Sequence, residues 1–312
     1  MELPMIITMS TDTIGYTWEA EVLFFNLIKD HNYPPEKITW LTYSDIGKPS
    51  EQSLLIKDKY GINHIHYKDE RIKKNYPTSI RLWMWNKYLI EDSCRQERDY
   101  LYIDTDIIFN ELPDFSKINV SSNNWYGADT NYYTSPNSIM SKGGLKLLQV
   151  ILDATNNSLI DVYEHEGNSA GAQWYISKPT PELFMDAYLA SEKIYDSIIE
   201  YDSKYKKMAW ISDMWALLWT LKKHGITAHI SKELDFSMPH QNIIKFPDKK
   251  IYHNSGFELL DFNRNIVTFN KSQWRNTTPE GKTILVSPDL CSYKYVLALQ
   301  KTFPTITIQE VI

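Results

Sequence analysis

Two aspartates one residue apart, Asp104 and Asp106, sit in the most informative stretch of the chain, Tyr100-Leu101-Tyr102-Ile103-Asp104-Thr105-Asp106-Ile107-Ile108-Phe109. Carboxylates carried into an apolar environment are costly unless they are paired or bind a cation. Two of them delivered together by a strand suit a hard divalent ion, Mn²⁺ or Mg²⁺, which prefers oxygen donors. Such an ion can bridge two phosphates and neutralise the charge that grows on a nucleoside diphosphate as a sugar leaves it. The spacing alone is common. Its weight comes from the hydrophobic residues before it and from Ile107-Ile108-Phe109 and Pro113 after it. The competing reading is a pair of carboxylates capping a turn or a helix.

A third ligand is on offer in His253, at the end of a short apolar run, Ile251-Tyr252-His253, with Gly256 close behind. Imidazole can complete a Mn²⁺ site beside carboxylates. Taken alone, a single histidine is more often structural.

The elements around these residues follow from periodicity. Met5 to Met9 has strand character, and apolar residues at helical spacing run from Tyr16 to Lys29 (Trp18, Val22, Phe25, Leu27, Ile28). Pro34-Pro35 breaks the chain before a strand at Ile38 to Tyr43, a helix through Leu54 to Tyr60 and a strand at His64 to Tyr67. Alternating strands and helices predict an α/β fold with a mostly parallel sheet, whose ligands lie at the carboxyl ends of the strands. A helix from Pro77 carries Arg81, Trp83, Trp85 and Lys87. Beyond the acidic strand come a polar loop at Ser121 to Trp125 and helices at Leu145 to Thr155, Pro181 to Asp196 and Trp210 to His224.

The bulk numbers are those of a globular protein, with 43% hydrophobic residues, 23% charged and a mean hydropathy of -0.41 over 312 residues. Ten tryptophans and 21 tyrosines suit a site that grips sugars or bases, and large cores use them too. A formal net charge of -6 argues against a surface that coats a polyanion, although lysines gather at 204–207 and 245–250. Cys94 and Cys291 are far apart and lack metal spacing, so a reducing compartment is expected. No leader-like or membrane-spanning run is evident, and the expected location is a cytoplasm, the host's if a phage encodes the chain. The abundance of Lys, Asn, Ile and Tyr hints at an A/T-rich genome such as that of a phage or a low-GC bacterium.

These segments resemble a known family. Ile103-Asp104-Thr105-Asp106 looks like the Asp-x-Asp motif of nucleotide-sugar glycosyltransferases with the GT-A fold. The arrangement is similar to the hydroxyproline O-arabinosyltransferase and peptidyl-serine galactosyltransferase group. The likeness is carried in order by Arg81-Leu82-Trp83 with Lys87-Tyr88-Leu89, by Asp104 to Pro113, by Gly167-Asn168-Ser169, by Ile211 to Ala216 and by Ile251-Tyr252-His253. Trp274-Arg275-Asn276 is a weaker echo. The resemblance implies a single GT-A (Rossmann-like) domain, a mostly parallel central sheet flanked by helices, over residues 1–262. Its nucleotide-binding half would span about 1–115 and its acceptor half about 116–262, with 263–312 a C-terminal extension packed on the core.

It also implies roles. Asp104, Asp106 and His253 would bind Mn²⁺ (or Mg²⁺) and through it the diphosphate of a UDP-sugar. Thr8, Ser10 and Asp69 would receive the nucleoside. Arg81 and Lys87 would contact phosphates or the donor sugar, against the alternative of a solvated helix face. Asn168, Ser169 and Gln173 would line the sugar pocket, against that of an ordinary turn. Asp213, at the start of an aromatic helix, would act near the reacting centre, as proton acceptor in an inverting reaction or as a positioning group in a retaining one. Its alternative is a helix cap.

The leading expectation is therefore transfer of a sugar, a pentose such as arabinose by the resemblance, from a UDP-sugar to a macromolecular hydroxyl. One version of the acceptor is 5-hydroxymethylcytosine in phage DNA; another is a surface glycan or a protein hydroxyl. A carbohydrate-binding protein of the same fold without turnover is the alternative from another class. Oligomeric state is not legible in the sequence.

Overall fold

A computed structural model describes residues 3–244, 249–256, 258–261 and 266–312. Lys245, part of one lysine cluster, and the expected boundary at 262/263 lie outside the described residues. The first part alternates as expected: β1 (Met5–Thr11), α1 (Ile14–Phe25), β2 (Ile38–Ser44), α2 (Glu51–Tyr60), β3 (Asn63–Lys68), α3 (Ile80–Glu91) and β4 (Asp99–Asp104). Next come β5 (Ile107–Phe109), β6 (Asn124–Asp129), α4 (Asn131–Thr134), α5 (Pro136–Thr155), α6 (Leu159–Tyr163) and β7 (Ala170–Ser177). They are followed by α7 (Pro181–Tyr201), α8 (Lys206–Ala209), α9 (Ser212–Leu221) and β8 (Thr227–Ile230). The remainder holds β9 (Phe236–Ser237), β10 (Ile251–His253), β11 (Leu260–Asp261), β12 (Ile266–Val267), β13 (Thr283–Val286), α10 (Ser292–Thr302) and β14 (Thr307–Glu310).

The protein is α/β, and parallel strand pairings predominate. Among the described residues no helix is long and apolar enough to cross a membrane. Both cysteines are free thiols. Local chemistry explains several element ends. Ser50 caps α2 by accepting from the Ser53 N–H at 3.2 Å, and Thr180 with Pro181 opens α7. The helix expected from Leu145 begins instead at Pro136, capped by Ser135, and kinks at Gly144, whose φ of 73° only glycine adopts without strain.

The chain forms two compact units. One comprises residues 6–68, 103–114 and 235–312. In it β1, β2 and β3 pair in parallel, with Ile6 opposite Ile38 and Leu41 opposite Ile65. Its core gathers Trp18 and Val22 of α1, Ile108 of β5, Tyr252 of β10, Ile284 and Val286 of β13, and Tyr295 and Leu299 of α10. Helix α1 is buried nearly all round, its glutamates Glu19 and Glu21 included. Residues 283–312 are no loose tail: β13 and β14 pair in parallel, and α10 contributes to that core.

The other unit comprises residues 1–5, 69–102 and 115–234. Here β7 pairs antiparallel with both β4 and β6, and β8 lies parallel to β6. The β6–β7 register shifts at Gly127/Ala128, and Ala172 adopts a positive φ of 56°. Helix α7 packs against α3, with Trp85 stacked on Phe184 at 4.7 Å and 9°. The segment 121–125, expected as a loop, is a short turn leading into β6.

Candidate active site

The apolar run around the two aspartates is one stretch in sequence and two strands in space. β4 ends at Asp104, a turn carries Asp106, and β5 then pairs antiparallel with β10, placing His253 opposite Ile107. The Asn254 N–H closes the arrangement by donating to the Asp106 carbonyl at 2.9 Å. His253 Nε2 lies 3.7 Å from Asp104 Oδ2 and 3.4 Å from Asp106 Oδ1. One ligand atom from each of the three side chains falls within 4.8 Å of the others. Two carboxylates and an imidazole at that spacing fit a divalent cation of the Mn²⁺ or Mg²⁺ type.

Electrostatics around the cluster are unusual for a protein interior. Lys271 is buried and ion-paired with Asp106 Oδ2. Burial alone would push the Asp106 carboxyl up, yet the Lys271 ammonium and His253 hold it well below the usual carboxylate range. Burial would likewise lower His253, and Asp106 raises it instead. Lys271 is raised in the same way, by Asp106 and Glu19 acting against burial. Glu19, on α1 and only 1% exposed, is pushed up to about 7, first by burial, opposed by Lys271 and reinforced by Asp106. Arg275 approaches Glu19 at 3.9 Å and lies over the Tyr16 ring at 4.3 Å. Gly15 makes that approach possible, because a Cβ there would collide with the Arg275 carbonyl oxygen.

Sequence reasoning missed Lys271 and Glu19. Lys271 stands in a polar stretch with nothing to mark it, and Glu19 lies in a helix whose burial follows no periodic face. Both are revealed only by long-range contact.

Among the expected nucleoside residues in this unit, Thr8 is fully buried and its hydroxyl has no hydrogen bond among the described residues, and Ser10 accepts from Trp40 Nε1 at 3.0 Å. Asp12, at the carboxyl end of the same strand region, is occupied by Ser50, whose N–H and Oγ both donate to it at 2.6 Å.

The remaining expected residues lie in the second unit. Asp69 is buried and held by Arg71, whose Nε and Nη2 donate to its two oxygens at 3.0 and 2.9 Å. Burial raises that carboxyl, and Arg71 outweighs it, leaving Asp69 lowered. Arg81 and Asp213, 132 residues apart, form an ion pair through Nη2 and Oδ2. The other carboxylate oxygen of Asp213 lies 2.5 Å from the Tyr76 hydroxyl, which is also 2.6 Å from the Trp210 carbonyl. A hydroxyl has one proton, so Tyr76 donates to one of these oxygens at a time, while the Asp213 N–H donates to it at 3.3 Å. Burial and the nearby Asp213 keep that phenol well above its ordinary range. Lys87 places its ammonium over the Trp83 ring at 5.7 Å.

Ser169 is buried and donates to the His165 carbonyl at 3.0 Å, and Asn168 belongs to the turn that leads into β7. Gln173 is different. It is 1% exposed, follows the strained Ala172 at the β6–β7 irregularity, and neither amide atom has a hydrogen bond among the described residues. Bulges of this kind re-aim a side chain. A buried amide left unsatisfied is a group waiting for a ligand or a water.

No family model and no curated protein matches the sequence. Solved structures similar in outline include two of a galactosyltransferase. The crystal structure of the galactosyltransferase LgtC with donor and acceptor sugar analogues shows 14% identity and a TM-score of 0.44, covering 80% of this chain and 87% of that one. An active-site mutant of LgtC shows 13% identity and a TM-score of 0.43, covering 81% and 88%. Likeness of that degree neither fixes a fold family nor transfers an activity, so the functional reading rests on the side chains themselves.

Proposed function

We propose that the chain is a metal-dependent glycosyltransferase of the GT-A kind, moving a sugar from a nucleotide-sugar, a UDP-sugar, to a hydroxyl. The observation that carries this reading is the convergence of Asp104, Asp106 and His253 within 4.8 Å. These three would hold the cation, Mn²⁺ or Mg²⁺, which when bound would offset charge on the departing diphosphate. Lys271 offers a second, fixed positive charge beside Asp106, buried where electrostatic stabilisation is strong.

The unsatisfied amide of Gln173 suits hydrogen bonding to the hydroxyls of a sugar. Asp213 pairs with Arg81 through one oxygen and lies beside the Tyr76 hydroxyl through the other, and lone pairs remain on both, so it could serve as proton acceptor in an inverting reaction or as a positioning group in a retaining one. Arg81 is paired with Asp213 and Asp69 with Arg71, and each keeps hydrogen-bonding capacity with which it could reach the donor from within that pair. A UDP-pentose donor such as UDP-arabinose, and hydroxymethylated DNA or a surface glycan as acceptor, are finer versions of the same proposal.

A donor screen tests it. The protein is incubated with Mn²⁺ and a panel of UDP-sugars, and UDP release is followed with and without chelator. Metal-dependent release from one donor is expected, with preference for a UDP-pentose supporting the arabinosyl version. Indifference to every nucleotide-sugar and to Mn²⁺ sinks the reading.

A further inference from the structure

Three residues before Asp213 stands a tryptophan that gives most of its ring to solvent rather than to the core. Trp210 is 56% exposed, whereas Trp215 and Trp219 of the following helix are buried. It is nevertheless held firmly. Its carbonyl lies 2.6 Å from the Tyr76 hydroxyl, the same hydroxyl that touches Asp213. Its ring meets the Tyr76 ring edge-on at 6.4 Å and 89°, and Tyr76 is itself stacked on Tyr195 at 5.0 Å. An exposed indole fixed from behind is a preorganised flat surface.

The residues one turn earlier decide what it would hold. Trp210 closes α8 with helical backbone angles, so Lys206 and Lys207, four and three positions before it, are its neighbours on the helix surface. Both are exposed, and neither has an ion pair among the described residues. Lys204, by contrast, is paired with Asp202 at 2.7 Å and lies over Tyr205 at 4.8 Å.

We propose that Trp210, Lys206 and Lys207 form a docking platform for an anionic oligosaccharide, the acceptor of the transferred sugar. The word acceptor rests on the glycosyltransferase reading; the binding itself does not. The C–H face of a pyranose ring packs on an indole, and carboxylate, sulfate or phosphate substituents pair with the two free ammonium groups. Two cations in a chain of net charge -6 are too small a footprint for a nucleic acid, whose binding comes mainly from many phosphate contacts. They also fall short of the four to eight or so basic residues that mark anionic-lipid recognition.

The test applies the full chain, without metal or donor, to an array of oligosaccharides bearing uronate, sialate, sulfate or phosphate groups beside neutral counterparts. A single-stranded oligonucleotide and phosphatidylglycerol vesicles form separate arms. Retention on acidic glycans above neutral ones is expected, weakened about tenfold in Trp210→Ala and little changed in Trp210→Phe. Rising salt should weaken wild-type retention, and much less so that of the Lys206→Gln/Lys207→Gln double variant. Thermal melting checks that each variant is folded. Absence of retention on every acidic glycan, retention that Trp210→Ala leaves unchanged, or retention confined to the oligonucleotide or the vesicles overturns the proposal. Since the array contains neither donor nor Mn²⁺, its outcome is independent of the UDP-release result.

Discussion

Asp106 and Lys271, 165 residues apart in the chain, form a buried ion pair on the edge of the Asp104–Asp106–His253 cluster. The candidate cation ligand is therefore also a structural counter-ion, and substitutions there have two separable effects.

Asp106→Asn is expected to abolish metal-dependent UDP release and also to destabilise the fold by about 3 kcal/mol, because it strands a buried ammonium. Asp106→Asn/Lys271→Met should recover much of that stability without recovering activity. Chemical denaturation of the two variants, compared with UDP release, checks the pair. Equal stability of wild type and Asp106→Asn would show that Lys271 does not depend on Asp106.

Glu19 makes stability depend on pH. Its folded carboxyl is raised to about 7, above the value of 4.5 expected in the unfolded chain. The folded state then binds the extra proton, so this stabilisation is fully present below 4.5 and is lost as pH rises through 7. Glu19→Gln should flatten the curve across that window, where the native residue contributes a slope of at most about 1.4 kcal/mol per pH unit. Urea denaturation of both proteins at intervals from pH 4.5 to 8 measures it, and parallel curves would refute the assignment.

Gly15→Ala offers a test of sign. Inside a helix this change ordinarily stabilises by about 1 kcal/mol. Here the new methyl would run into the Arg275 carbonyl, so a loss of about 1–3 kcal/mol is expected, along with weaker Mn²⁺ binding as the Lys271–Arg275 segment shifts. A rise in melting temperature would contradict the close approach.

Gln173→Met should separate stability from function. Removing a buried, unsatisfied amide is expected to stabilise by about 1–3 kcal/mol. If the amide exists to bind a sugar, UDP release in the presence of donor should fall at least about tenfold. A variant that is both more stable and fully active would mark Gln173 as a packing residue.

Much of this was readable before any coordinates. The β1–α1–β2–α2–β3 run follows from periodicity and proline breaks; Asp104 and Asp106 stand out as carboxylates inside an apolar stretch, and the family resemblance is what adds His253 to them. What escaped was long-range or irregular. Nothing local in Phe269-Asn270-Lys271 says that the lysine enters the interior, and Glu19 lies on a helix without a polar face to mark it as misplaced. β7 was hidden because it is buried on both faces, so its residues show no polar–apolar alternation by which a strand is recognised. The single acidic strand became two because a turn and a change of partner at Asp106 leave no trace in hydrophobicity.

Tyr295 and Leu299 of α10 share one packed interior with Trp18, Ile108 and Tyr252, the neighbours of Glu19, Ile107 and His253. The floor beneath the candidate cation ligands is thus laid partly by the last thirty or so residues of the chain. Random mutagenesis sweeping that end should return variants whose appetite for manganese has drifted, although none of their altered side chains could touch the ion.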